Sequence, residues 1–127
     1  MPREEVSAPE APAAIGPYSQ AIAVDGYLFC SGQLGMDPKT GQLVDGVESQ
    51  TEQALMNLTA VLGAAGLSAG DVVKTTIFLA DLAHFSTVNA VYSRFVVEPA
   101  PARSTVQVAA LPRGALVEIE AIARRSS

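Results

Sequence analysis

The stretch ALVEIEAIA, Ala115 to Ala123, alternates apolar and polar positions, and that period restricts the fold more than any other feature. Successive side chains of a strand point to opposite faces. Val117, Ile119 and Ala121 therefore share one side, and Leu116, Glu118, Glu120 and Ile122 share the other. If helices cover the first side, the second carries two carboxylates among apolar residues. A single domain with an uncovered apolar sheet face buries it by self-association. The expectation is an oligomer, with sites formed where subunits meet.

The rest of the chain supplies strands and helices to match. AIAV and YLFCSG are short apolar runs separated by Asp25-Gly26, a favoured hairpin dipeptide. Asp37 to Gly46 is dense in Pro, Gly and Asp and reads as a loop. From Ser49 the period changes: Ala54, Leu55, Leu58, Val61, Leu62 and Ala65 fall at helical spacing, with Gly66 as the stop. Ser49 with Glu52 reads as a capping box. VVKTTIFLAD then reads as a strand. Asp81 is a candidate cap for a second helix striped by Phe85, Val88, Tyr92 and Phe95, which Pro99 and Pro101 close. STVQVAAL and ALVEIEAIA end the chain, joined by a turn at Pro112-Arg113-Gly114. The order ββαβαββ without a repeat implies an α+β sandwich, with two helices on one face of a sheet. Residues 1–14, rich in Pro, Ala and Glu, read as a flexible arm, and residues 15–125 as a single domain.

Composition excludes several function classes. The net charge is −5 with no basic stripe, which argues against nucleic acid as partner, because phosphate contacts supply most of that affinity. One cysteine, Cys30, excludes an intramolecular disulfide framework and reads as a buried inert thiol. One histidine, His84, precludes a zinc site of several His and Cys ligands, and it reads as a surface residue in a first helical turn. The N-terminus has no signal-peptide core, and no apolar run of about 18 residues is present. A soluble cytoplasmic protein with no membrane partner is the expectation.

Within PARSTV, Arg103 is the only charged side chain between Glu98 and Arg113. A lone guanidinium at the mouth of an apolar strand must reach water, pair with Glu118 or Glu120, or await a ligand carboxylate that matches its paired donors.

Six segments together resemble the RidA/YjgF (endoribonuclease L-PSP-like) family: IGPYSQA, CSGQ, QALMNLTAVLGAAG, DVVKTTIFLADLAHFSTVNAVY, PARSTV and LPRGALVEIEAIA. They cover residues 14 to 124 in the family's order and spacing. The resemblance implies a chorismate-mutase-like sandwich, with two helices on one face of a six-stranded mixed sheet. It also implies a homotrimer whose sheets form a central barrel and whose three clefts lie between subunits. It further implies hydrolysis of reactive 2-iminoacids or 2-enamines to 2-oxoacids and ammonia, with no cofactor and no metal. The imine carbon is already electrophilic, so the site must supply chiefly orientation of substrate and water.

By motif position, the family's substrate-clamping Arg falls on Arg103 and its water-positioning Glu on Glu118. Its site Tyr falls on Tyr18, as proton donor to the imine nitrogen or lid of the pocket. Ser31, Asn89 and the segment at Gly32 and Thr105 are implied substrate contacts. Many members carry Cys where Thr105 stands, so a thiol role is absent from this chain. Local alternatives stay open: Tyr18 as a hairpin-edge aromatic, Ser31 as turn chemistry, Asn89 as a cap, and Glu118 as Arg103's resting partner. A second reading is a non-catalytic ligand-sensing or interaction protein that binds small carboxylates in the same cleft. Ribonuclease activity, attached to some relatives, is disfavoured by the acidic balance, the single His and the missing basic stripe.

Overall fold

The computed structural model describes residues 2–126. Along the chain run β1 (Glu4–Val6), β2 (Ala21–Val24), β3 (Tyr27–Leu34), α1 (Val47–Ala64), β4 (Val72–Leu79), α2 (Phe85–Tyr92), β5 (Ala102–Gln107) and β6 (Val117–Arg124). The six strands form one mixed sheet in the order β1-β2-β3-β6-β4-β5, in which only the β4–β5 pair is parallel. β4, α2 and β5 make a crossover unit, as a parallel pair requires. The alternating strand β6 lies at the centre, antiparallel to β3 on one side and β4 on the other.

Register shows how the alternation is used. Val117, Ile119 and Ala121 stand opposite Leu79, Ile77 and Thr75 of β4, and all six are buried beneath the helices. α1 meets them with Ala54, Leu58, Val61 and Leu62, none of which exceeds 0% exposure. Tyr92 of α2 closes the layer through a 2.7 Å hydrogen bond between its hydroxyl and that of Thr75. The opposite face pairs Glu118 with Phe78 and Glu120 with Thr76, and carries half-exposed Tyr27, Phe29 and Val106. The two-faced sheet expected from the period is therefore present, with its second face open.

Local signals behave unevenly. Asp25 and Gly26 both have positive φ (52° and 82°), the conformation of the tight turn their dipeptide favours. α1 ends in a Schellman motif: Leu67 N–H donates to Leu62 and Gly66, at φ 76°, donates to Gly63. Asp81 accepts from Ala83 N–H and caps the 3-10 turn Leu82–His84 that leads into α2. The Ser49–Glu52 capping box does not form. α1 starts earlier, at Val47 after Gly46, and Gln50 is instead occupied with the Val44 carbonyl and the Leu116 N–H. The reciprocal box stands between Ser68 and Asp71, ahead of β4. Phe85 is not a core residue: it is 39% exposed, whereas Val88, Val91 and Tyr92 are buried.

The arm departs most from expectation, because it carries the sixth strand. Glu4–Val6 pairs with Ala21–Ala23, and Ala8 and Ala11 are buried. The cause is Gln20, itself 7% exposed. Its Oε1 accepts from Ala8 N–H at 2.6 Å, and its Nε2 donates to the Ala8 and Pro12 carbonyls at 3.1 and 2.7 Å. One side-chain amide thus takes the place of a ladder the Pro-rich segment cannot make. Gln20→Ala leaves the Ala8 N–H and the Pro12 carbonyl without the amide, while the Ala8 carbonyl keeps Ala11 N–H, at about 1–3 kcal/mol for an unmet buried amide or carbonyl. The expected outcome is rapid hydrogen exchange at Ala8 and early proteolysis within residues 4–12, with the rest of the sheet still protected.

Candidate active site in two halves

A bulge in β3 creates the first half. Cys30 stands opposite Ala121 and Gln33 opposite Ile119, so Ser31 and Gly32 together face the single residue Glu120. The extra residue keeps Cys30 and Gln33 on the buried side and brings Gly32 under Glu118. A Cβ on Gly32 would lie 2.6 Å from Glu118 Oε2, so any side chain here would displace the carboxylate from its present position. Tyr18, 55% exposed, joins them from the loop before β2. The three line a cleft of about 350 Å³ whose other walls include Ile15, Leu34 and Met36. Ser31 donates its hydroxyl proton to the Ser19 carbonyl at 2.6 Å, and its N–H goes to the Gln20 carbonyl. Its donor therefore holds the Tyr18 loop, and only its acceptor lone pairs stay free for a ligand.

Glu118 has no hydrogen-bond partner and no cation beside it among the described residues, where the one ion pair joins Arg94 to Glu52. Burial, and secondarily the neighbouring Glu120 charge, raise its carboxyl above the ordinary glutamate value. Cys30 is pushed up to about 12 by burial, which makes it the inert thiol expected.

The second half lies on the other face of the sheet, at the β5 edge. Arg103 stands opposite Thr75 and Thr105 opposite Ile77, so both side chains take the helix side. The guanidinium sits 5.1 Å from the Tyr92 ring centre and 5.7 Å from that of Phe85. Two aromatic faces thus hold a charge that, among the described residues, no carboxylate neutralises. Asn89, half-buried, follows Phe85 by four residues and precedes Tyr92 by three, which places it on the same helix stripe as both rings. Thr105 Oγ1 is buried without a hydrogen-bond partner, as is Nδ1 of His84. His84 is half-buried at the end of the 3-10 turn rather than on the surface.

The structure therefore groups Tyr18, Ser31, Gly32 and Glu118 in one half, and Asn89, Arg103 and Thr105 in the other. Within one chain it does not bring the halves together, and Arg103 and Glu118, on opposite faces, do not pair with each other there. Sequence reasoning missed the rings under Arg103, the amide of Gln20 and the turn residue Arg113, which also lines the cleft. The apolar stripe containing Phe85 and Tyr92 was visible, but its use as a cation seat was not.

The raised Glu118 value has a consequence for stability. Between the ordinary glutamate value and the raised one, the folded chain holds a proton that the unfolded chain has lost. Stability therefore falls as pH rises through that window and levels off above it. Glu118→Gln removes this term. Thermal unfolding across pH should show the variant gaining on the parent as pH rises from the acid side to neutrality, with the gain vanishing in acid.

Comparison with known proteins bears on the family and the fold. A model of the Endoribonuclease L-PSP family matches residues 8–125. The chain is 56% identical over 122 residues to "Reactive Intermediate Deaminase A, chloroplastic" of Arabidopsis thaliana, covering 95% of this chain and 65% of that longer one. It is 55% identical to the "2-iminobutanoate/2-iminopropanoate deaminase" of Mus musculus, covering 95% and 90%. The crystal structure of E. coli TdcF with bound serine superimposes with a TM-score of 0.92 at 45% identity, covering 97% of this chain and 99% of that one. By the matched model, these identities and the shared fold, the chain belongs to the Endoribonuclease L-PSP family, the RidA/YjgF group its motifs resemble.

Proposed function

We propose that this chain hydrolyses 2-iminoacids and their 2-enamine tautomers to 2-oxoacids and ammonia, in clefts shared between copies of a homotrimer. The observation that carries the reading is the pair of unmatched charges. Arg103 waits over two rings on one face of the sheet, and Glu118 stands unpaired on the other. Neither half is a site alone. A second copy docking its β5 edge against the first copy's open face would join them, and such a heterologous contact closes into a ring. The mouse relative's name supplies the reaction class, and the serine bound to TdcF fits a ligand carrying one carboxylate.

In this reading Arg103 clamps the substrate carboxylate through two parallel N–H donors. Asn89, Thr105 and Ser31 fix the rest of the substrate or the water. Glu118 takes a proton from water as the water oxygen bonds to the C=N carbon, a base role that a raised carboxyl value serves near neutrality. Tyr18 supplies the proton that the nitrogen acquires, or closes the cleft with its ring. The resulting 2-amino-2-hydroxy acid loses ammonia as the C=O bond forms. The cytoplasm is the setting that goes with this reading; among the described residues no helix is long and apolar enough to cross a membrane.

The test generates iminoacids with an amino-acid oxidase and traps survivors with semicarbazide. Parent protein should slow semicarbazone formation, and Arg103→Ala should lose about a hundredfold or more in kcat/KM, since each charge-assisted bond is worth roughly 1.5–3 kcal/mol. Parent-like rates from Arg103→Ala would refute the clamp. Tight 2-oxoacid binding with no effect on imine lifetime would instead favour the ligand-binding alternative. Co-expressing Arg103→Ala with Glu118→Gln should restore about a quarter of the parent activity, because each mixed three-fold ring regains one intact cleft.

A further inference from the structure

We propose that Met36, braced by Arg113, sets how long a substrate side chain the cleft accepts. This rests on the deaminase reading of the same cleft. The groups assigned to chemistry lie at the level of Gly32, Leu34 and Glu118, the last two being register partners across β3 and β6. Continuing along β3 leads to Met36, and running back along β6 leads to the turn Pro112–Gly114. Both line the cleft. Met36 is two residues past Leu34, so this end wall stands roughly 7 Å beyond the Glu118 level, at about 3.4 Å per extended residue.

The wall is held more firmly than a loop position requires. The Met36 carbonyl accepts from Nδ2 of Asn57, a 1% exposed side chain of α1, at 2.9 Å. Met36 also pairs with Leu43, and the turn beyond it closes through Asp37 N–H to Gln42 and Gly41 N–H to Asp37. From the opposite wall, Nη1 of Arg113 donates to the Gly41 carbonyl at 2.7 Å and lies 3.8 Å from Met36 Sδ. Arg113 does so from a left-handed backbone (φ 62°), a conformation that costs a non-glycine residue about 1 kcal/mol or more. No carboxylate pairs with it among the described residues. Its guanidinium spans the end of the cleft and restrains a thioether that would otherwise swing through several rotamers. A thioether held at fixed depth discriminates by length, admitting short aliphatic side chains and meeting longer ones with the Met36 sulfur.

The experiment compares 2-iminobutanoate with 2-iminohexanoate as the ratio of their kcat/KM values, and 2-oxobutanoate with 2-oxohexanoate as the ratio of affinities. Met36→Ala should shift both ratios about tenfold toward the longer compound and Met36→Phe should shift them the other way, the range expected for methylene-sized changes in an apolar pocket. Arg113→Leu should shift them in the Met36→Ala direction, and Arg113→Lys, which can still reach the Gly41 carbonyl, should restore the parent ratio. Ratios unmoved by Met36→Ala and by Met36→Phe overturn the proposal. If the parent hydrolyses no imine, the deaminase reading falls, and the 2-oxoacid affinities alone decide the length rule: a flat profile across the variants refutes it.

Discussion

Burial of one face of β6 against α1 and α2 is the constraint on which the rest of the molecule depends. Val117, Ile119 and Ala121 are sealed beneath Leu58, Val61 and Leu62, and shifting the register by one residue would put Glu118 and Glu120 into that layer. Register is therefore fixed, and with it the place of Glu118 over the one residue, Gly32, that lacks a Cβ to displace it. The β3 bulge completes the arrangement by letting Cys30 and Gln33 stay buried on either side of that glycine. A core requirement and a site requirement are met by the same strand pair.

Much of this was legible in the sequence, and the parts that were not share a cause. Alternation in Val117–Ala123, the Asp25-Gly26 turn, the Gly66 stop and the Asp81 cap are local, and each appears where its chemistry predicted. The strand within residues 1–14 was not legible because β1 is three residues long and is braced by Gln20, whose partners lie 8 to 12 residues away. The Ser49–Glu52 signal failed because the helix already runs from Val47, with Gln50 N–H on the Gly46 carbonyl, and Glu52 faces Arg94 instead. Motif positions named seven site residues, but no motif carries strand order. Only the registers of β5 and β6 on the β4 strand between them, Arg103 beside Thr75 and Glu118 beside Phe78, show that the two occupy different faces.

That separation has an energetic logic on the proposed reading. An ion pair between the two side chains within one chain would have to be broken before a substrate could bind. Charged hydrogen bonds of this kind are worth roughly 1.5–3 kcal/mol each, so the binding energy lost would be large for a ligand of so few atoms. Placed on opposite faces, the guanidinium is held by the Phe85 and Tyr92 rings, a softer contact of about 0.5–2 kcal/mol that a carboxylate can outcompete without displacing an anion. The carboxyl of Glu118, with no cation paired to it among the described residues, keeps a raised proton affinity that serves a base for water. Assembly then becomes the step that brings clamp and base within reach of one substrate, and a fold whose open sheet face already calls for a partner supplies that step from its own burial.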